Sequence, residues 1–167
     1  MSKVAAYLRE HIVGEVTEAK NVREFFSTDG GIFKVEPQLV VYPRTTDDVR
    51  KVARLSWQLA EKGKVMPITA RGAGSDQAGA ALGDGLMLVF PAHMNKLLEL
   101  DVKKKQARIQ PGIIYRNFQD TVKTHGLFLP PYPSSIDYAT LGGAIANNAA
   151  GERTIKYGVT KDFVEGV

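Results

Sequence analysis

Apolar residues first recur at helical spacing, at Val4, Leu8, Ile12 and Val16, with Gly14 interrupting, which predicts a short N-terminal helix. Phe25 to Phe33 reads as a turn-rich lead-in segment. After Pro37, the run Leu39-Val40-Val41-Tyr42 closes on Pro43 and has the length of a buried strand. Thr45 and Asp48 then stand at capping-box spacing, with Asp in place of the usual Glu or Gln, so a helix is expected to start there. Val49, Val52, Ala53, Ser56, Leu59 and Ala60 share one face of it, and Gly63 supplies the stop. Val65 to Ala70 reads as a second strand. Strand, helix, strand is the unit that favours parallel pairing.

Beyond a glycine-rich stretch, Leu86 to Phe90, Leu97 to Val102 and Ala107 to Gln110 read as strands, with Lys103 to Lys105 as the turn between the last two. Pro111-Gly112 is a turn. Ile114, Phe118 and Val122 form a helical stripe closed by Gly126, and Leu127 to Leu129 is a short extended segment before Pro130-Pro131. From Thr140 the residues turn small, Leu141 to Gly151, and read as a helix capped by Thr140. Asp162 to Gly166 lead to Val167 with no finishing strand, so a continuation is expected.

Composition narrows the classes. At 167 residues, 44% hydrophobic and 24% charged, the chain is of globular type and long enough for a core of its own. It has no Cys, which excludes thiolate catalysis, disulfides, iron–sulfur clusters and Cys-based zinc sites. The net charge of +4 divides evenly, +2 in residues 1–83 and +2 in 84–167, so no basic block points to nucleic acid. No run approaches the ~20 apolar residues of a membrane span, and Met1 to Glu10 lacks the apolar centre of a signal peptide. The cytoplasm is the compartment expected. His11, His93 and His125 show no ligand spacing, so no metal site is expected, and His125 beside Gly126 reads as a helix cap.

Three segments carry candidate chemistry. Arg71-Gly72-Ala73-Gly74-Ser75-Asp76 follows a predicted strand. Gly72 and Gly74 permit positive φ and leave N–H groups unshielded, as in an anion nest, with Arg71 adding charge and Ser75 a hydroxyl. A mobile loop is the plain alternative. It is neither a Walker loop nor the Rossmann fingerprint, since no Gly-Lys-Ser/Thr follows and position 77 is Gln. Pro133-Ser134-Ser135 precedes Thr140-Leu141-Gly142-Gly143, where two glycines open a helix at a cost of about 1 kcal/mol each relative to Ala. Either a phosphate at the helix end or tight packing against another element offsets that. Asn147 and Asn148, with Gly151, offer side-chain amides, and helix C-capping is the plain role for one of them.

Together these residues resemble a known family. Leu39 to Pro43 with Thr46-Asp47-Asp48-Val49, Arg71 to Ser75, Pro111-Gly112, Pro133 to Ser135, Ala139 to Gly143 through Gly151, and Tyr157-Gly158 with Asp162 are similar in order and spacing to one type of flavin domain. It is the FAD-binding domain of the vanillyl-alcohol oxidase / p-cresol methylhydroxylase (PCMH) type, in the flavour of the FAD/FMN-containing dehydrogenases similar to glycolate oxidase and D-lactate dehydrogenase. The resemblance covers residues 37–167, with 1–36 as an N-terminal helix and lead-in. It implies an α+β, two-lobed PCMH-type domain with FAD extended between the lobes, the first lobe β-α-β with a small sheet and the second incomplete at its C-terminal end.

The resemblance also implies site residues. Arg71, Gly72, Ala73, Gly74, Ser75 and Asp76 would line the first pyrophosphate loop. Gly112, Pro133, Ser134, Ser135, Thr140, Leu141, Gly142 and Gly143 would line the second phosphate and the wall near the flavin, and Asn147, Asn148 and Gly151 the same channel. Some relatives tether FAD through a His in or near the first loop. Arg71 to Gly85 contains none and the chain has no Cys, so noncovalent FAD is expected. The family grips its substrate through a further domain, so catalytic residues are not assigned. The expected function is the FAD-binding part of an oxidoreductase acting on a small 2-hydroxy acid or alcohol. The alternatives are a phenol or sugar oxidase, a reductase of UDP-linked enolpyruvyl sugar, and a non-catalytic nucleotide- or anion-binding module.

Overall fold

Thr45 and Asp48 start the longest helix as their spacing predicts: the Thr45 hydroxyl accepts the Asp48 N–H at 3.1 Å, and the Asp48 carboxylate accepts the Thr45 N–H at 3.2 Å. The structure, a computed structural model, describes residues 2–167 and falls into two units, one ending at His93 and one beginning at Met94.

In the first unit the chain runs through α1 (Lys3–His11), β1 (Glu15–Thr17), α2 (Lys20–Phe25), β2 (Leu39–Tyr42), α3 (Thr46–Glu61), β3 (Ile68–Arg71) and β4 (Leu86–Val89). The sheet order is β1-β2-β4-β3, with β4 parallel to both neighbours and β1 antiparallel to β2. The parallel pairing expected for β2 and β3 is therefore indirect, because β4 lies between them. Alternation along the central strands sorts the core. Leu39, Val41, Leu86 and Leu88 pack with Val4, Leu8 and Val52 of α1 and α3 on one face, and Val40, Met87 and Val89 meet Val22 and Phe26 on the other. Both central strands are covered on both faces, which is why they read as continuous apolar runs.

Asp48 is fully buried and does more than cap. Its Oδ1 accepts the Val13 N–H at 2.9 Å, and its Oδ2 accepts Gly14 at 3.1 Å and Arg44 at 2.9 Å besides Thr45. Burial alone raises its pKa, but donors from Arg44, Val13 and Thr45 outweigh that and hold the carboxyl below its usual range. Gly14 is required beside it, because a Cβ there would overlap the Tyr42 carbonyl.

The second unit holds β5 (Leu97–Asp101), β6 (Gln106–Ile109), α4 (Tyr115–Lys123), α5 (Leu141–Ala146), the short α6 (Thr154–Tyr157) and a 3-10 turn at Thr160–Phe163. β5 and β6 form an antiparallel hairpin whose turn places Lys105 at φ 58°, and no third strand joins them among the described residues. Tyr115, Phe118 and Val122 of α4 pack against Ile113, Ile136, Leu141 and Ala144.

Several sequence expectations give way. α1 stops at His11, and Val16 belongs to β1, so residues 2–36 are part of the first unit rather than a preface to it. A helix, α2, stands just ahead of the lead-in turns. On α3, Ala53 and Ala60 face solvent while Leu55 packs on the core. Val65 is exposed, and its strand begins only at Ile68. α5 ends at Ala146, far short of Gly151, because Asn148 turns to φ 47° and leaves the helical path. No described helix is long and apolar enough to cross a membrane.

Candidate functional site: an open run of backbone donors after the third strand

β3 ends on Arg71, and residues 72–85 return the chain to β4. Gly72, Ala73, Gly74 and Ser75 donate no backbone N–H to a protein acceptor among the described residues. Gly74 sits at φ +75°, so these four successive donors include one left-handed residue, the conformational element from which anion nests are built. The sequence expectation of a charged Arg71 facing that anion is corrected. Arg71 is 5% exposed, and its Nη1 donates to the Ala81 carbonyl at 3.2 Å and its Nη2 to the Thr28 carbonyl at 2.9 Å. Its guanidinium lies 5.6 Å from the Phe26 ring centroid, and burial lowers its pKa against the opposing pull of Asp29. The Asp76 carboxylate also turns inward, accepting Ala78 N–H at 3.0 Å and Ala80 N–H at 2.9 Å, while its carbonyl accepts Gly30 N–H at 2.8 Å.

Sequence reasoning missed the floor of this loop. Gly30 and Gly31 run so close beneath it that a Cβ would stand 3.0 Å from the Ser75 and Asp76 carbonyls or 2.8 Å from that of Gln77. The Asp29-Gly30-Gly31 triplet was the available signal, since adjacent glycines mark close backbone approach.

In the second unit the expected residues divide. Ser134 and Ser135 leave their hydroxyls and N–H groups without protein partners among the described residues, while the Pro133 carbonyl accepts from Ile136 and that of Ser135 from Tyr138 and Ala139. At α5 the donors are already taken: Leu141 N–H by the Ile113 carbonyl, Gly142 N–H by Pro111, and Gly143 N–H by the Thr140 hydroxyl at 3.1 Å. Tight packing explains Gly142, since a Cβ there would lie 2.6 Å from the Pro111 carbonyl, whereas a Cβ on Gly143 would meet only the Thr140 hydroxyl at 3.1 Å. Gly112 is buried and donates to Met94. Gly151 is needed because a Cβ would overlap the Tyr132 carbonyl, and Asn148 Oδ1 accepts the Lys161 N–H at 2.9 Å. Asn147 is the C-cap of α5.

Two α4 side chains that the sequence reading passed over hold the segment leading to Ser134. The buried Tyr115 hydroxyl donates to the Pro131 carbonyl, and burial pushes its phenol well above the usual range. Gln119, one turn on, donates to the Leu129 carbonyl and accepts the Leu129 N–H, both at 2.8 Å, as a neighbouring strand would. A buried polar residue on the stripe of Phe118 and Val122 was the signal.

The family model described as FAD binding domain matches residues 37–167. The chain belongs to this family. It is 34% identical to D-2-hydroxyglutarate dehydrogenase of Escherichia coli (strain K12) over 159 residues, covering 95% of this chain and 15% of that protein. It is 38% identical over 133 residues to glycolate oxidase subunit GlcD of Bacillus subtilis (strain 168), covering 78% and 27%. The chain thus spans well under a third of these relatives. Among solved structures, alkyldihydroxyacetonephosphate synthase superposes with a TM-score of 0.83 at 22% identity, covering 97% of this chain and 32% of that one. 6-hydroxy-D-nicotine oxidase from Arthrobacter nicotinovorans gives 0.72 at 25% identity, covering 90% and 32%. The α+β fold is that of PCMH-type FAD-binding proteins.

FAD is the cofactor of this family, and the donor set fits it. A diphosphate presents acceptors only, and the four N–H groups of Gly72 to Ser75, which meet no protein acceptor among the described residues, are donors of the kind it needs.

Proposed function

We propose that this chain is the FAD-holding part of a flavin-dependent oxidoreductase that oxidises a small 2-hydroxy acid, and that it binds FAD without a covalent tether. The observation that carries the reading is the run of four unpaired N–H groups at Gly72–Ser75. Ser134 and Ser135 are the second group of donors we assign to the cofactor. Leu141 to Gly143, Gly112, Gly151 and Asn148 shape the surrounding main chain, their own N–H groups being taken by protein acceptors. The relatives named for D-2-hydroxyglutarate and glycolate support a hydroxy-acid substrate. When bound, the flavin supplies a two-electron acceptor for an alcohol carbon. The chain's own residues bind and orient it, while substrate is gripped by a further domain.

The test is an FAD titration of the 167-residue chain and of the product of the complete reading frame, followed by flavin fluorescence and the visible spectrum. Expected are saturable binding, release of all flavin on acid precipitation, and bleaching of the complete protein's flavin band by 2-hydroxy acids. Folded protein that binds no FAD would refute the cofactor assignment, flavin retained in the precipitate the noncovalent one, and a band untouched by hydroxy acids the substrate class.

A further inference from the structure

An arginine that binds phosphate normally presents its planar fork outward, where two N–H groups meet two oxygens. Arg71 does the reverse. One arm of its fork reaches the Ala81 carbonyl, on the return limb of the loop, and the other the Thr28 carbonyl, in the lead-in segment. One planar group therefore ties together the end of β3, the far limb of the loop and the floor beneath it. The space it fills lies directly under Gly74: a Cβ at that position would overlap the guanidinium, standing 2.7 Å from Nε. Gly74 also holds φ +75°, a conformation side chains adopt at a penalty. The chain folds down over the cation only because residue 74 has no side chain, and that same fold leaves the N–H groups of Gly72 to Ser75 open.

The charge beneath the loop is incompletely matched. Arg71 Nε is buried with no hydrogen-bond partner, and so is Oδ2 of Asp29, whose Oδ1 accepts the Gly31 N–H at 2.8 Å.

We infer that Arg71 is the positioning residue of the anion loop, acting with Gly74 as one unit: the fork sets the curvature of residues 72–75 from below, and the backbone alone meets the anion. The inference rests on the FAD reading above and adds to it the source of the loop's shape. Lysine keeps the charge but presents its donors from one nitrogen, which does not reproduce a planar fork to two fixed carbonyls.

The experiment measures FAD and riboflavin affinity of the complete protein as wild type, Arg71→Met, Arg71→Lys, Gly74→Ala and the Arg71→Met/Gly74→Ala double variant, with circular dichroism as the check on folding. Riboflavin has no diphosphate and so reports on the rest of the site. Each single variant is expected to lose FAD affinity by about tenfold or more, Lys no less than Met, with riboflavin binding unchanged. The double variant is expected to be no weaker than the weaker single, because both changes undo one arrangement. Losses that multiply in the double variant, full retention by Arg71→Lys, or equal losses of FAD and riboflavin would each overturn the inference. If Arg71→Met does not fold, Gly74→Ala carries the test, and a folded Gly74→Ala with wild-type affinity overturns it. Wild-type protein that binds no FAD overturns the proposed function instead, and this inference with it.

Discussion

Replacing Asp48 with asparagine exchanges one heavy atom and disturbs four hydrogen bonds. Oδ2 collects the N–H groups of Gly14, Arg44 and Thr45, so the amide oxygen takes that position and the amide nitrogen is left facing the Val13 N–H. An orphaned, buried donor costs about 1–3 kcal/mol. The three remaining bonds lose their charge assistance, and charged bonds are roughly twice as strong as neutral ones. Because these terms share one acceptor they do not add in full, and the expected loss is about 3–4 kcal/mol. For a chain of this size that is a fall of about 10 °C in Tm, read by circular dichroism at pH 7. The pH dependence supplies a second check. The folded pKa lies below the ordinary 3.8, so the stabilisation is complete above that value and is lost as pH falls through the folded one. The gap between wild type and Asp48→Asn should be flat from pH 7 to 5 and narrow as the pH falls below 3.8. A shift below about 3 °C at pH 7, or a gap that widens in acid, refutes the reasoning.

The glycines of α5 give a contrast within one helix: Gly142→Ala should destabilise by about 2–3 kcal/mol against Pro111, whereas Gly143→Ala, whose Cβ meets only the Thr140 hydroxyl at 3.1 Å, should be near neutral in urea unfolding because alanine favours helix by about 1 kcal/mol. Tyr115→Phe should lose about 1–2 kcal/mol by the same assay, the worth of the bond to Pro131. Gln119→Leu should lose at least as much, because it strands both the N–H and the carbonyl of Leu129, and equal stability to wild type would show that water replaces the amide without loss.

What the sequence makes legible is local. Leu39 to Tyr42, the Thr45 cap, the Lys103 to Lys105 turn and the stripe of α4 each announce themselves within a few residues, because periodicity and turn chemistry act at that range. β1 escapes because three residues are too few to show an alternation, and Val16 happens to continue the spacing of Val4 and Leu8. Its strand state comes from pairing with β2, a partner 23 to 27 residues away in the register. The insertion of β4 between β2 and β3 is hidden for the same reason, since both strands flanking it read as parallel-sheet material and nothing local ranks their neighbours.

The site separates in the same way. A glycine in sequence marks a place where a side chain does not fit, but not what occupies the space, and Gly74, Gly142 and Gly151 turn out to be excluded by an arginine, a proline carbonyl and a tyrosine carbonyl. Arg71 inverts the usual inference from charge. Read along the chain it decorates a loop that awaits an anion; read in three dimensions its Nη groups are taken by Thr28 and Ala81, and the proposed recognition falls to the main chain of residues 72–75. Backbone recognition is blind to side-chain identity at Ala73 and Ser75, so this loop should tolerate substitution at the two residues that face solvent and none at the glycine that does not. Ala73→Ser and Ser75→Ala are therefore expected to keep FAD affinity within about threefold of wild type while Gly74→Ala does not. A loss of FAD on Ser75→Ala as large as that on Gly74→Ala would move recognition back to the side chains.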